Sequence, residues 1–464
     1  MVDSVTTEGS KVPEAAARRR AIYAGFIGNF IEWYDFALYG YFAVTISALF
    51  FSNSDPTVAL LSTFAVFAVG FVARPIGAYV FGRIGDRYGR RRALVISVLM
   101  MSTATVLLGA LPTYNTIGVW ATALLVVLRL FQGFSGGGEY AGATIYVIEH
   151  APKGWRGRYG SLSPVAAGVG PAVAAIISLT ITGLVSTDAL HSWGWRIPFL
   201  LSLPLGIVAI VMRMRIEESP EFVAVRESNQ IEDAPLREAL RVARPQMATV
   251  FGWNIINGVG FYVFTGFSVA YMLKVAKLDY TAALGAVSIA LLIHAAACPI
   301  MGYFLDKVGR RPVAVTATLG YAVFGPIAFY LFHKQQFASS LIALVGIGIC
   351  AAGVSCVTAV SMVDLFPARF RYSAGAIPYQ FSVAIFGGTA PYVATWLGGS
   401  SFELAPGFYL SSIALIACVV GWFGFRGIPT ETSATRATES VHNVSAARTT
   451  ISKSSTPEGT SHHG

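Results

Sequence analysis

Among the ionisable side chains inside long apolar runs, Glu32, Asp35, Arg129 and Glu139 are those whose types and spacing could do chemistry. A charged group in hydrocarbon costs on the order of 2.5–3.5 kcal/mol by insertion scales, so each of the four must face protein, water or a ligand. A carboxylate in such a place can carry a proton. An arginine keeps its charge, so it needs a permanent partner or an anionic ligand. At about 100° per residue, Gly28, Glu32, Asp35 and Tyr39 share one helical stripe, while Phe26, Phe30, Trp33 and Ala37 cover the other side. Further along, Arg129, Gln132, Gly136 and Glu139 fall within about a quarter turn of one another. An internal ion pair of Arg129 with Glu32 or Asp35 is expected, and it is compatible with a small carboxylate binding Arg129 through two oxygens.

The elements that position these groups are membrane-spanning helices. Hydrophobic residues make up 55% of the 464 and charged residues only 12%, too few polar side chains to cover a soluble globule. About twelve runs are long enough to cross a bilayer as helices, and they are too long for the strands of an outer-membrane barrel. Residues 1–20 lack the apolar core of a cleavable signal peptide, so the first helix is expected to act as the insertion signal. The four cysteines fall inside apolar runs and read as small core residues, not as a metal or disulfide framework. No metal ligand set, cofactor motif or nucleotide-binding motif stands out, so neither an enzyme nor an ATP-driven pump is expected. The net charge of +9 does not point to nucleic acid. Nearly all Lys and Arg lie in loops on one side, only Lys274, Lys277 and Lys334 on the other, and Arg74, Arg129 and Arg196 within spans. That is the positive-inside bias, placing both termini in the cytoplasm and the chain in the cell membrane.

One loop occurs twice. Gly82-Arg83-Ile84-Gly85-Asp86-Arg87-Tyr88-Gly89-Arg90-Arg91-Arg92 has a weaker copy in Gly302-Tyr303-Phe304-Leu305-Asp306-Lys307-Val308-Gly309-Arg310-Arg311. Glu149, Pro152 and Arg156 are likewise echoed at a nearly equal offset by Asp364, Pro367 and Arg371. Two repeats at nearly one spacing predict two related halves. Residues 21–213 form a six-helix bundle, 214–245 a polar cytoplasmic linker and 246–426 a second six-helix bundle, with a polar tail before them and a disordered Ser/Thr-rich tail over 427–464. Gly82, Asp86, Arg87, Gly89, Arg90, Arg91, Glu149, Arg156, Asp306, Arg310 and Arg311 then read as a cytoplasmic charge latch between helices, able to form and break during gating.

Elsewhere, Trp193 and Trp195 mark an interface, with Arg196 reaching outward or guiding an anion. His294 reads as a hydrogen-bonded core histidine. Tyr379, Gln380 and the run Gly387-Gly388-Thr389-Ala390-Pro391 have a broken-helix composition suited to a moving gate. The candidate substrate- and proton-binding set is Glu32, Tyr34, Asp35, Tyr39, Arg129, Gln132 and Glu139 from the first half, with Asn254, Tyr379 and Gln380 from the second.

The repeated loop resembles the connection between the second and third helices of the major facilitator superfamily. The segments Gly28 to Tyr39, Arg74-Pro75-Ile76-Gly77, Gln132 to Tyr140, Gly194 to Phe199 and Glu218-Ser219-Pro220-Glu221-Phe222 are similar to its metabolite:proton symporter family. The resemblance implies twelve helices in two pseudo-symmetric bundles around a central cavity. It also implies proton symport of organic acids such as 2-oxoglutarate, citrate or shikimate, or of zwitterions such as proline and betaine, with a single chain as the working unit in the bilayer. A small organic acid is the main expectation and a zwitterion the alternative, with a proton-driven exporter or a transporter-like receptor further off. Osmosensing members end in a long charged coiled coil, which this sequence lacks, so osmosensing is not expected.

Overall fold

The computed structural model describes residues 11–51, 55–398 and 402–426, and the tail expected over 427–464 lies outside them. Ten helices among the described residues are long and apolar enough to cross a membrane. They are the second to sixth spans, Val58–Arg87, Arg90–Ala110, Val119–Glu149, Arg156–Leu184 and Thr187–Met214, the seventh to tenth, Arg244–Lys274, Tyr280–Val308, Arg310–Phe332 and Phe337–Asp364, and the twelfth, Ala405–Gly424. Two further helical segments complete the set of twelve. The first span is Lys11–Tyr41 followed by Ala43–Phe50, and charged residues at both its start and its centre lower its hydropathy. The eleventh runs Arg371–Ser382, a π-helical turn at Val383–Gly387, then Gly388–Gly398. Its small and polar residues keep it less apolar than its neighbours. The π turn lies where the broken-helix composition was expected, and a second, unexpected one interrupts the seventh span at Val263–Phe267.

Among the described residues the first helix includes residues 11–20, part of the stretch expected to be a tail, since charged residues at a helix end can lie in the interface while the helix continues. The polar linker also contains two short helices, Pro220–Glu227 and Pro235–Val242, each opened by a proline whose missing N–H costs nothing there. Ser219 caps the first of them by accepting from the Phe222 N–H at 3.1 Å.

Packing divides the spans into two sets. The second crosses the fourth closely enough that a Cβ on Gly133 would run into the Gly70 carbonyl oxygen, so only glycine fits there. The ninth packs on the tenth and twelfth, and the eighth on the tenth. Across the seam the second span meets the eleventh and the eighth meets the fifth, which is the pairing a two-fold relation between the halves requires. Gly89 and Gly309 open the third and ninth spans with φ of 106° and 86°, backbone angles that favour glycine. The two copies of the loop therefore share their turn geometry, and both lie at one end of the molecule, the basic end.

Candidate functional site

At the basic end, residues from the two halves interlock symmetrically. Asp86 accepts hydrogen bonds from the Tyr372 and Ser373 backbone N–H groups at 3.0 and 2.8 Å. Asp306 accepts from Gly157 and Arg158 N–H at 2.6 and 3.1 Å. Glu149 lies between Arg90, at 3.3 Å, and Arg371, at 2.7 Å. Asp364 lies between Arg310, at 3.3 Å, and Arg156, at 2.7 Å. The linker residue Glu221 then contacts both Arg156 and Arg371. Glu218 anchors the linker by accepting from Arg90 N–H at 2.9 Å. Burial pushes its carboxyl above the ordinary glutamate range, against the backbone N–H groups that favour its charge.

Three latch candidates lie outside this interlock. Arg87 reaches Asp233 of the linker at 3.1 Å, Arg91 donates to the Met214 carbonyl, and Arg311 stacks on the Trp422 ring with 3.6 Å to its centroid. Arg196 donates to the carbonyls of Gly109 and Leu111 at 2.9 and 2.7 Å, which ties down the end of the third span. His294 is a buried core histidine whose ring nitrogen Nδ1 meets the Gly348 carbonyl at 3.0 Å.

The buried charges of the first half pair differently from expectation. Arg129 forms no ion pair among those found in the described residues. Its Nη1 donates to Gln132 at 3.0 Å, and its guanidinium lies over the rings of Phe36, Tyr39 and Phe67. The cation near Glu32 is instead Arg74, at 3.4 Å. Asp35 is held by hydroxyls, accepting from Thr105 at 2.6 Å and Ser202 at 2.5 Å. Glu139 forms a two-pronged pair with Arg213 and accepts from Ser97 at 2.6 Å, away from Arg129. A helical wheel shows that two residues share a face but not which neighbouring helix that face meets.

Between the bundles lies a small cavity lined by Trp33, Tyr140, Pro164, Ala167, Asn257, Gly258, Phe261, Tyr262, Ser355, Tyr379 and Val383. Its volume of about 20 Å³ has room for roughly one water, so in this conformation the halves are closed on each other. Tyr140 stacks on Tyr379 across the seam, with centroids 5.3 Å apart, and Trp33 meets Phe261 edge-on at 4.9 Å. Gln380 donates to the carbonyls of Gly136 and Gly137 at 3.1 and 3.2 Å.

Of the expected site residues, Tyr379 therefore lines the cavity and Gln380 bridges the seam beside it. Tyr34 instead donates to the Pro198 carbonyl at 3.0 Å, and Tyr39 to that of Thr63 at 3.2 Å. Asn254 accepts from Thr358 inside the second half, and Asn257, one turn on, takes the place on the cavity wall. Trp33, placed on the far face by the helical wheel, is buried in the seam because the first span is surrounded by protein on both faces.

This architecture has known counterparts. Residues 21–246 match the family model described as "Sugar (and other) transporter", and residues 254–456 match the Major Facilitator Superfamily model. A proline/betaine transporter of Escherichia coli (strain K12) is 34% identical over 433 residues, 90% of this chain and 86% of that protein. One from Salmonella typhimurium is 35% identical over 416 residues, 87% of this chain and 82% of that protein. The chain belongs to the major facilitator superfamily. Within the superfamily, these relatives place it in the metabolite:proton symporter family, as a multi-pass membrane transporter and not an enzyme. The fold is also that of a solved proton:xylose symporter bound to 6-bromo-6-deoxy-D-glucose, with a TM-score of 0.75 at 16% identity over 90% of this chain and 97% of that one.

Arg74, Trp33, Tyr140 and Tyr262 were absent from the sequence-derived set. For Arg74 a signal existed, since an arginine inside an apolar span is costly wherever it lies.

Proposed function

We propose that this chain carries a small zwitterion of the proline or betaine type together with a proton, by alternating access through the seam between its halves. One observation supports this best: the cavity is walled by the aromatic rings of Trp33, Tyr140, Phe261, Tyr262 and Tyr379. Aromatic faces attract ammonium groups, and tertiary and quaternary ones most usefully, because those have few or no N–H donors to satisfy. The names of the relatives point the same way. The argument for a small organic acid rested on Arg129 as an open cation, and Arg129 lies off the cavity wall beneath three rings.

In this reading the basic end faces the cytoplasm of a cell that holds the protein in its plasma membrane. The interlock at that end is closed in the conformation described, so substrate enters from the other side. Uptake of labelled proline and glycine betaine into proteoliposomes with an imposed pH gradient tests the reading. Accumulation that collapses with the gradient, and that excess citrate or 2-oxoglutarate does not inhibit, is the expected result. Inhibition by the acids and not by betaine would return the assignment to organic acids.

A further inference from the structure

Two ion pairs buried in the first half differ sharply in how they are held. Glu139 and Arg213 meet through two contacts, Ser97 adds a third bond to the carboxylate, and Arg213 also reaches the Leu94 carbonyl at 2.5 Å. Glu32 and Arg74 meet only at 3.4 Å, longer than a charge-assisted hydrogen bond of about 2.7–2.9 Å. Nε and Nη1 of Arg74 and both carboxylate oxygens of Glu32 are buried and make no hydrogen bond within the protein. An unsatisfied buried polar atom is costly, and more so when charged. A pair with several such atoms is far from its best bonded arrangement.

The surroundings of this pair lead towards the cavity. Glu32 precedes Trp33, a wall residue whose indole N–H is also unsatisfied. The Arg74 guanidinium lies 5.2 Å from the centroid of Phe71, which meets the ring of Tyr262, another wall residue, edge-on at 5.2 Å. Neither charged residue lines the cavity in this closed conformation, and the reason lies at Gly136. A Cβ there would lie 3.1 Å from Glu32 Oε1 and 3.6 Å from Arg74 Nη2. The carbonyl of that same glycine takes the Gln380 side chain from the opposite bundle. Gln380 thus closes the seam over the pair, and it follows Tyr379, which closes the seam over the cavity by stacking on Tyr140. Moving this one segment of the eleventh span away from the fourth would open a path from the cavity towards the pair.

We infer that Arg74 is the receptor for the substrate's carboxylate, uncovered when Gln380 leaves the Gly136 and Gly137 carbonyls, while the ammonium end lies among the rings of Trp33, Tyr140, Tyr262 and Tyr379. This assignment rests on the zwitterion reading and gives each end of the substrate a partner. It explains why the Arg74–Glu32 contact is loose, since a carboxylate must be able to replace Glu32 on the guanidinium. Arg129 is equally buried and also has two nitrogens without a hydrogen bond, but it is bonded to Gln132 and lies over three rings, where Arg74 lies over two and has only the loose contact to Glu32.

The test compares glycine betaine with choline, which has the same quaternary ammonium group and no carboxylate, for binding to the purified full-length protein. The unmodified protein should prefer glycine betaine by tenfold or more. Arg74→Gln should lose that preference by weakening glycine betaine alone, with choline affinity within twofold of the starting value. Arg129→Gln should keep it. Preference retained in Arg74→Gln overturns the inference, as does an equal loss for both compounds in a folded variant. If Arg74→Gln does not fold, the Glu32→Gln/Arg74→Gln double variant, which buries no unpaired charge, gives the same readout. If the unmodified protein binds neither compound but binds small carboxylates, the zwitterion reading fails separately. Carboxylate affinity then decides the role of Arg74: a tenfold loss in Arg74→Gln supports it, and no change overturns it.

Discussion

Asp86 and Asp306 make the same bond from opposite halves of the molecule: each carboxylate accepts from two successive backbone N–H groups where a helix of the other bundle begins. The start of a helix offers free N–H groups and a partial positive charge, and each aspartate also has an arginine nearby, Arg90 at 3.4 Å from Asp86 and Arg158 at 3.8 Å from Asp306. The second copy of the loop differs from the first at five of the ten shared positions and still makes the same contact across the seam; the aspartate, the glycine that turns the chain after it and the two arginines that follow are common to both. The arginine contacts follow the same two-fold pattern, and Glu221 joins the symmetry-related pair Arg156 and Arg371 through the linker.

Asp86→Asn and Asp306→Asn should each favour opening of the basic end. Hydrogen bonds to a charged group contribute about 1.5–3 kcal/mol, so the ratio of closed to open molecules should fall by roughly tenfold or more when the charge is removed. Maximal uptake should slow while substrate affinity stays within about twofold, because neither residue lines the cavity. Uptake kinetics and equilibrium binding on the same preparations check this. A loss of affinity with an unchanged rate would contradict the latch role.

The repeated loops were legible in the sequence because a turn with a left-handed glycine, an aspartate and a run of arginines is local. The pairing of buried charges was not legible. Glu32, Asp35, Arg129 and Glu139 were singled out by their cost in an apolar run, and Gln132, one turn from Arg129 on the same helix, was within reach of the sequence, yet the partners Arg74, Ser202 and Arg213 depend on how six helices are arranged around one another. Arg213 in particular stood at the end of the first bundle, next to the polar linker, and is fully buried. Trp33 failed for a related reason. A wheel assumes one buried face and one lipid face, whereas the first span packs against the fifth on one side and the fourth and sixth on others.

The Glu139–Arg213 pair should behave as structure. Removing one partner leaves a buried charge uncompensated, which costs about 3–5 kcal/mol. Glu139→Gln should therefore lower the yield and thermal stability of the protein in detergent, and remaining activity should fall in proportion to folded material. A double replacement by methionine should recover much of the lost stability. If Glu139→Gln is as stable as the parent but uncoupled from the pH gradient, the structural assignment is wrong.

His150, just past the end of the fourth span, gives the basic end a pH dependence. Burial pushes its imidazole below the ordinary value of 6.5, although the Tyr146 carbonyl that accepts from Nδ1 and the nearby Glu149 and Glu217 favour its charged form. The folded state thus takes up its proton less readily than the unfolded chain, so this contribution is present above about pH 6.5 and is lost as the pH falls below it. His150→Gln should flatten that part of the acid limb. Thermal unfolding of both proteins between pH 7.5 and 5, on the order of one measurement per half unit across the histidine range, reads the difference. Parallel curves would show that His150 contributes nothing to it.

The coupled proton is best sought on Glu32. Three carboxylates of the first half are buried away from the basic end, and they differ in what holds them. Asp35 has a hydroxyl on each oxygen, from Thr105 and Ser202, and Glu139 has Arg213 and Ser97. Glu32 has one loose contact, to Arg74, and two oxygens without a hydrogen bond. A group that must gain and lose a proton in every cycle cannot be held by bonds that only its charged form satisfies. A substrate carboxylate drawn to Arg74 would compete with Glu32 for the same cation. Protonation of Glu32 and binding of substrate would then favour each other, by the same factor in both directions. Glu32→Gln should therefore abolish accumulation driven by a pH gradient while sparing exchange of internal for external substrate. Asp35→Asn, which keeps most of its hydroxyl bonds, should slow both processes together. Accumulation and exchange measured in the same proteoliposomes, with and without the gradient, separate the cases. Gradient-driven accumulation persisting in Glu32→Gln would move the proton to one of the other two acids.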